Sequence, residues 1–119
     1  MKMFCGVGDT TLLLTRHVRE RGDLSLVSAI HELTCRQADL LGMAGYGRIG
    51  LGYAADFAVF SLDELKFADE KLVWDVPGGA RFRRESGGYR YTIVNGVVVQ
   101  EAGTPTGPLP ARFITAAGG

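Results

Sequence analysis

The chain has 119 residues, of which 46% are apolar and 22% charged, and its 13 Lys and Arg residues balance 13 Asp and Glu residues. This length fits one domain, or a small helical unit followed by a small β unit. Because the net charge is zero, the composition does not favour nucleic acid or an anionic membrane as a partner, whereas it does favour self-association. No apolar run approaches the roughly 18 residues of a membrane span, so we expect a soluble, cytoplasmic protein without membrane contact.

Apolar residues at helical spacing dominate the first third of the chain. The predicted helices cover residues 10–21, 26–34 and 36–42. Asp9 or Thr10 is the expected N-cap of the first helix, and Ser25 is that of the second, since a short side-chain oxygen can accept from the free amides of a first turn. Gly22 and Gly42 are the expected stops of the first and third helices.

A glycine-rich corner separates this helical part from a β part. Gly47, Gly50 and Gly52 favour unusual backbone angles there. The residues that follow predict a short buried strand over 56–60. Asp56, at the exit of the corner, could be catalytic, but we favour an aspartate that accepts backbone hydrogen bonds and locks the turn.

Short runs of β-branched and aromatic residues, cut by turn residues, make up the second half. Further strands are predicted over 72–75 and 80–84, on either side of a Pro-Gly-Gly turn. Asn95 and Gly96 lie between two β-branched runs and predict a type I′ hairpin over 91–100, because both central residues of that turn need positive φ. Three prolines in residues 104–112 predict an extended tail that donates no backbone hydrogen bonds to a sheet.

Side chains that could perform catalysis are few. His17 and His31 lie in separate predicted helices, each without a partner four residues on, so we expect surface or packing roles rather than metal binding. Cys5 and Cys35 have no CxxC spacing, so neither a zinc site nor a disulfide framework is indicated. At Cys35 a small buried thiol is favoured over a nucleophile. We assign no catalytic residue and no metal ligand to this chain.

Three features, in order along the chain, carry a resemblance to a known family. They are the helical segments at 12–26 and 29–34, the corner and strand at 47–60, and the Pro-Gly-Gly-Ala-Arg turn at 77–81 followed by the hairpin and the Thr-Gly-Pro-Leu-Pro tail at 106–110. Together they resemble the C-terminal end of the amidohydrolase superfamily, in the N-acyl-D-amino-acid deacylase (D-aminoacylase) branch. The corner and strand are shared by many amidohydrolases, whereas the turn and the tail point to this branch.

The resemblance implies an α+β fold with two parts. Residues 1–46 would form the last helical layer of a TIM-like barrel, and residues 47–119 would form the C-terminal part of a small, mostly antiparallel β-sandwich with a Pro-rich tail. The family holds one or two metal ions, and we expect zinc in the full-length enzyme. We expect no cofactor in this chain, because the family's His and Cys ligands and its catalytic Ser-Asp motif lie upstream of the matching segment. A structural role is expected for Gly47, Gly50, Gly52, Asp56, Asn95 and Gly96.

The leading hypothesis is therefore the C-terminal portion of a metal-dependent amidohydrolase that hydrolyses non-peptide C–N bonds, with N-acyl-D-amino acids as expected substrates. The isolated portion should be structural and inactive, and its exposed helix faces and sheet edges should make it a homo-oligomer. One alternative is a free-standing oligomeric binding module with a pocket lined by residues 1–12 and the loop over 77–84. A third hypothesis is a thiol-dependent enzyme that uses Cys5 or Cys35 and needs a depressed thiol pKa.

Overall fold

The structure is a computed structural model that describes residues 9–114. Its first helix is α1 (Asp9–Leu12) with a π-helical continuation (Leu13–Glu20), and it is followed by α2 (Leu26–Leu33) and α3 (Cys35–Leu40). The strands are β1 (Phe57–Phe60), β2 (Lys66–Phe67), β3 (Lys71–Val76), β4 (Gly79–Arg83), β5 (Ser86–Gly87), β6 (Tyr89–Val94), β7 (Val97–Glu101) and β8 (Thr104–Pro105). The helices precede the strands along the chain, and all the described strand pairs are antiparallel. The predicted α+β class is therefore confirmed.

The first helix has the predicted extent but an unexpected geometry. The amide of Arg21 donates to the carbonyl of Arg16, five residues back, at 3.0 Å. Gly22 ends the helix with a φ of +65°, as predicted. The predicted N-cap is wrong, because Asp9 and Thr10 are themselves helical. Apolar spacing alone does not distinguish an α-helix from a π-helix over two turns.

The second and third helices follow the predicted capping rules. The Ser25 hydroxyl oxygen accepts a hydrogen bond from the amide of Ser28 at 3.0 Å, which confirms Ser25 as an N-cap. Thr34, with φ −124° and ψ −81°, separates α2 from α3. Gly42 follows the third helix with a φ of +65°. No helix within residues 9–114 is long and apolar enough to cross a membrane.

The main sheet has the strand order β1-β6-β7-β8. Strand β1 pairs with β6 so that Phe57 lies opposite Ile93 and Val59 opposite Tyr91. The β6–β7 hairpin turns through the Asn-Gly pair, whose φ angles are +48° and +77°. The predicted hairpin, with positive φ at both central residues, is thereby confirmed.

The predicted extended tail is wrong at its beginning. Ala102 and Gly103 adopt φ angles of +46° and +86° and form a second tight turn. Thr104–Pro105 then pairs with β7, and the amide of Thr106 donates to the carbonyl of Val99 at 3.0 Å. Because β8 is an edge strand, a proline can be accommodated there without removing a hydrogen bond from the ladder.

Two further ribbons, β2–β5 and β3–β4, stand apart from the main sheet. The β3–β4 ribbon corresponds to the strands predicted over 72–75 and 80–84. The β2–β5 ribbon, of two residues on each side, was not predicted, since two residues show no periodicity.

In the part of the chain that the structure describes, an apolar cluster connects the helices to the strands. Leu14, Ala29 and Leu65 are buried at its centre, and Phe60 and Tyr89 pack against them. Hydrogen bonds reinforce this contact: Thr11 Oγ1 lies 2.9 Å from Tyr89 Oη. The guanidinium of Arg19 donates to the backbone carbonyls of Leu62 and Leu65 at 3.0 and 2.8 Å. The division at residues 46 and 47 stays a prediction.

Candidate functional site

The glycine corner packs closely against the junction of α2 and α3. Gly47 and Gly52 have φ angles of +74° and +84°, which favour glycine, whereas Gly50 does not adopt a positive φ. A Cβ atom on Gly47 would lie 2.8 Å from the carbonyl oxygen of Thr34 and 2.9 Å from Cβ of Ala38. Residue 47 therefore requires glycine for two reasons, its backbone angle and the space beside it.

Asp56 connects the exit of this corner to the β6–β7 hairpin. Its Oδ1 atom accepts a hydrogen bond from the amide of Asn95 at 2.8 Å, and the amide of Gly96 donates to the carbonyl of Ala55 at 2.9 Å. The Asn95 side chain in turn donates to the carbonyl of Pro110 at 2.8 Å. Asp56 thus accepts a backbone hydrogen bond, but from a turn 39 residues away rather than from its own corner. No local pattern in the sequence identifies that donor.

An open apolar cavity of about 400 Å³ lies between α2 and β1, beside the corner. Its lining includes Ile30, Tyr46, Phe57 and Phe60. Arg48 also lines it, and this guanidinium is paired with Asp39 at 2.6 Å. The cavity can hold an apolar group, but among residues 9–114 its lining includes no His or Cys and only one carboxylate, that of Asp56.

The two histidines do not converge on a metal site. His17 Nδ1 donates to Asp23 Oδ2 at 2.9 Å on an exposed surface, and this hydrogen bond, helped by the nearby Arg21, lowers the pKa of Asp23. His31 Nδ1 lies 4.0 Å from the Glu32 carboxylate. Within residues 9–114, no three His, Cys, Asp or Glu side chains are grouped so that they could hold a metal ion. The described residues therefore do not fit the zinc site that the family resemblance implies for a full-length enzyme.

The Cys35 thiol lies 3.6 Å from Asp39 Oδ2. Partial burial raises the pKa of this thiol above its usual value, Asp39 adds to the increase, and Arg48 opposes it. A raised pKa leaves less thiolate at neutral pH, which is unfavourable for a nucleophile. Cys5, and most of the pocket predicted over residues 1–12, lie outside the described residues.

The chain is similar to known amidohydrolases along most of its length. Residues 5–100 match the amidohydrolase family. Over 99 residues the chain is 33% identical to the N-acyl-D-glutamate deacylase of Alcaligenes xylosoxydans xylosoxydans, an alignment that covers 83% of this chain and 19% of that protein. No solved structure matches the chain significantly. The predicted resemblance is confirmed: this chain belongs to the amidohydrolase family, in its D-aminoacylase-like branch.

Proposed function

We propose that this chain forms the C-terminal part of a metal-dependent amidohydrolase that hydrolyses a non-peptide C–N bond, with N-acyl-D-amino acids as substrates. The observation that carries the proposal is the 33% identity to an N-acyl-D-glutamate deacylase over 83% of the chain. The aligned segment makes up 19% of that relative, so the remaining residues of such an enzyme would supply the metal ligands and the catalytic groups.

The proposed role of this part is architectural. The helices would complete the last helical layer of a TIM-like barrel, and the β1-β6-β7-β8 sheet would form part of the adjoining β-sandwich. Exposed apolar side chains on and after the helices support this role, since a barrel would cover them. They include Val27, Leu40 and Leu41. The glycine corner and the contact between Asp56 and Asn95 would fix the sheet relative to the helices.

In this proposal the isolated chain lacks hydrolase activity. The potential metal ligands His17 and His31 each contact a single carboxylate at the surface, and Asp56 uses its Oδ1 atom to accept a backbone amide. The residues described here would contribute position and packing to a metal site whose ligands come from other parts of the full-length enzyme. The cytoplasmic location stays a prediction.

A segment exchange tests the proposal. In the N-acyl-D-glutamate deacylase, the segment aligned with this chain would be replaced by this chain, and hydrolysis of N-acyl-D-glutamate would be measured with zinc present. We expect the chimera to be active, a deletion of the segment to be inactive, and the isolated 119-residue chain to be inactive. A chimera that folds and binds zinc normally but has no activity would count against the proposal that this chain forms the C-terminal part of such a deacylase. Deacylation by the isolated chain would rule out a purely structural one.

The alternative function, a free-standing oligomeric binding module, draws support from the apolar cavity between α2 and β1. It predicts that the isolated chain binds a small ligand that carries an apolar group, such as the acyl chain of an N-acyl amino acid. Ala58 lines this cavity, so an Ala58→Phe substitution would fill part of it. Under the alternative, the ligand raises the melting temperature of the wild-type chain and not that of the variant. If the ligand leaves the melting temperature of both proteins unchanged, the architectural role is the better explanation.

A further inference from the structure

Asn95 is the chain's only asparagine, and a glycine follows it. An asparagine in this setting can lose its side-chain amide without an enzyme, because the backbone nitrogen of the next residue can attack the side-chain carbonyl carbon. Glycine favours that attack, since it has no Cβ to obstruct the approach of its backbone. Both Asn95 and Gly96 are exposed, so water, the second reactant, reaches them.

The chemistry of this loss needs only water. The Gly96 nitrogen gives its proton to the solvent and bonds to Cγ of Asn95, while the bond from Cγ to Nδ2 breaks and that nitrogen leaves as ammonia. The product is a cyclic imide. Water then adds to either imide carbonyl, and the C–N bond that opens gives aspartate, or isoaspartate with the backbone continued through Cγ.

The fold engages both nitrogen atoms that take part. The Gly96 amide, the attacking group, donates to the carbonyl of Ala55 at 2.9 Å. The Asn95 Nδ2 atom, the leaving group, donates to the carbonyl of Pro110 at 2.8 Å. The amide of Asn95 itself donates to Asp56 Oδ1 at 2.8 Å. The segment before β1 and the C-terminal tail therefore both contact the turn at the atoms that would react.

The backbone of the turn also opposes the attack. Asn95 and Gly96 have φ angles of +48° and +77°, as the type I′ turn between β6 and β7 requires. Cγ of Asn95 can reach the Gly96 nitrogen only if the Asn95 side chain rotates away from Pro110. The reaction therefore requires a local opening of the turn, and its rate follows the population of the open form.

We propose that Asn95 is a site of spontaneous deamidation that the folded chain protects, and that its modification releases the tail at Pro110 from the hairpin. In the aspartate product an oxygen replaces Nδ2, so the donor to the Pro110 carbonyl is lost. In the isoaspartate product the backbone is longer by a methylene group, which the two-residue turn does not accommodate. This chemistry does not depend on the proposed hydrolase role.

The rate of deamidation tests the protection. The full chain would be incubated at mildly alkaline pH in native buffer and in guanidinium chloride, then digested with trypsin. The peptide between Arg90 and Arg112, which contains Asn95, would be weighed by mass spectrometry. A synthetic peptide of residues 91–100 in the same two solutions corrects for any direct effect of the denaturant.

We expect deamidation to be at least about tenfold slower in native buffer than in denaturant, because the folded chain reacts only when the turn opens. No deamidation of the denatured chain would show that Asn95 is not such a site. Equal corrected rates in the two solutions would show that the folded contacts give no protection.

A matched pair of variants tests the contacts themselves. Asp56→Ala removes one hydrogen bond to the turn, and we expect native deamidation about fivefold faster, the factor that corresponds to one hydrogen bond. Asp63→Ala, the same change at an exposed carboxylate, is the control and should stay within about twofold of the wild-type rate. Circular dichroism would check that both variants fold. Equal rates for the two variants would show that the contact at Asp56 does not protect Asn95.

The modified chain tests the release of the tail. Anion exchange separates it from unmodified chain of the same incubation, because the product carries an additional negative charge. Limited trypsin cleavage after Arg112 should be about fivefold faster in the modified fraction, whereas cleavage after Arg36 in α3 should be unchanged. Equal cleavage after Arg112 in the two fractions would show that Asn95 does not hold the tail.

Discussion

The carboxylate of Asp56 accepts the amide hydrogen of Asn95 at 2.8 Å, just beyond the point where β1 and β6 stop pairing. The neighbouring amide of Gly96 donates to the Ala55 carbonyl at 2.9 Å. A side-chain oxygen therefore continues the hydrogen bonding between the two segments where the backbone turns away into the hairpin. This contact fixes the tight turn on the segment that leaves the glycine corner.

Replacement of Asp56 by alanine should lower the free energy of unfolding by about 1 kcal/mol, the usual net contribution of one hydrogen bond. Asp56→Asn should cost less, because an amide oxygen can still accept from Asn95. The measurement is the urea midpoint at constant m value. Asp63→Ala is the control, since that exposed carboxylate makes no hydrogen bond to another described residue. Equal losses for Asp56→Ala and Asp63→Ala would show that the contact contributes nothing.

The glycine corner offers a matched pair of substitutions. Gly52→Ala should cost about 1–2 kcal/mol, because its φ of +84° is unfavourable for alanine, while beyond its chain neighbours no atom of the described residues lies within 4 Å of the new Cβ. Gly47→Ala carries the same backbone cost and also a clash with the Thr34 carbonyl, so we expect a further ~1–3 kcal/mol. Chemical denaturation of both variants measures the difference. Indistinguishable values would mean that the α2–α3 junction yields to the added methyl group.

Local rules account for what the sequence predicted correctly, and long-range contacts account for what it missed. The Ser25 cap and the hairpin turn at Asn95 each depend on residues within a few positions, and both are present as predicted. The pairing of β8 depends on Ala102 at a φ of +46°, an angle that alanine rarely adopts and that no composition rule indicates. The hydrogen bond between Asp56 and Asn95 likewise spans 39 residues, so only the folded chain reveals the donor.

Cys35 should react slowly with thiol reagents at neutral pH, since its raised pKa keeps it mostly protonated. In a Cys5→Ser background, the pH dependence of labelling would report Cys35 alone. Asp39→Asn should speed the labelling, because it removes a negative charge beside the thiol and leaves Arg48 to favour the thiolate. Labelling of Cys35 at or above the rate of an unhindered free thiol would contradict this prediction and revive the thiol-enzyme hypothesis.

The contact between His17 and Asp23 should make stability depend on pH in one direction. Because the hydrogen bond from His17 lowers the pKa of Asp23 in the folded chain, the charged carboxylate stabilises the fold. That contribution is complete above the pKa of an unfolded aspartate, about 3.9, and is lost as the pH falls through the lower folded value.

Asp23→Asn should therefore be less stable than the wild-type chain at neutral pH, and the difference should disappear in strong acid. Unfolding free energies measured by denaturation at a series of pH values give this difference directly. A His17→Ala background provides the control, because removal of the donor should shrink the effect of Asp23→Asn if the two side chains are coupled. A difference that stays constant down to about pH 2 would show that it does not arise from ionisation of Asp23.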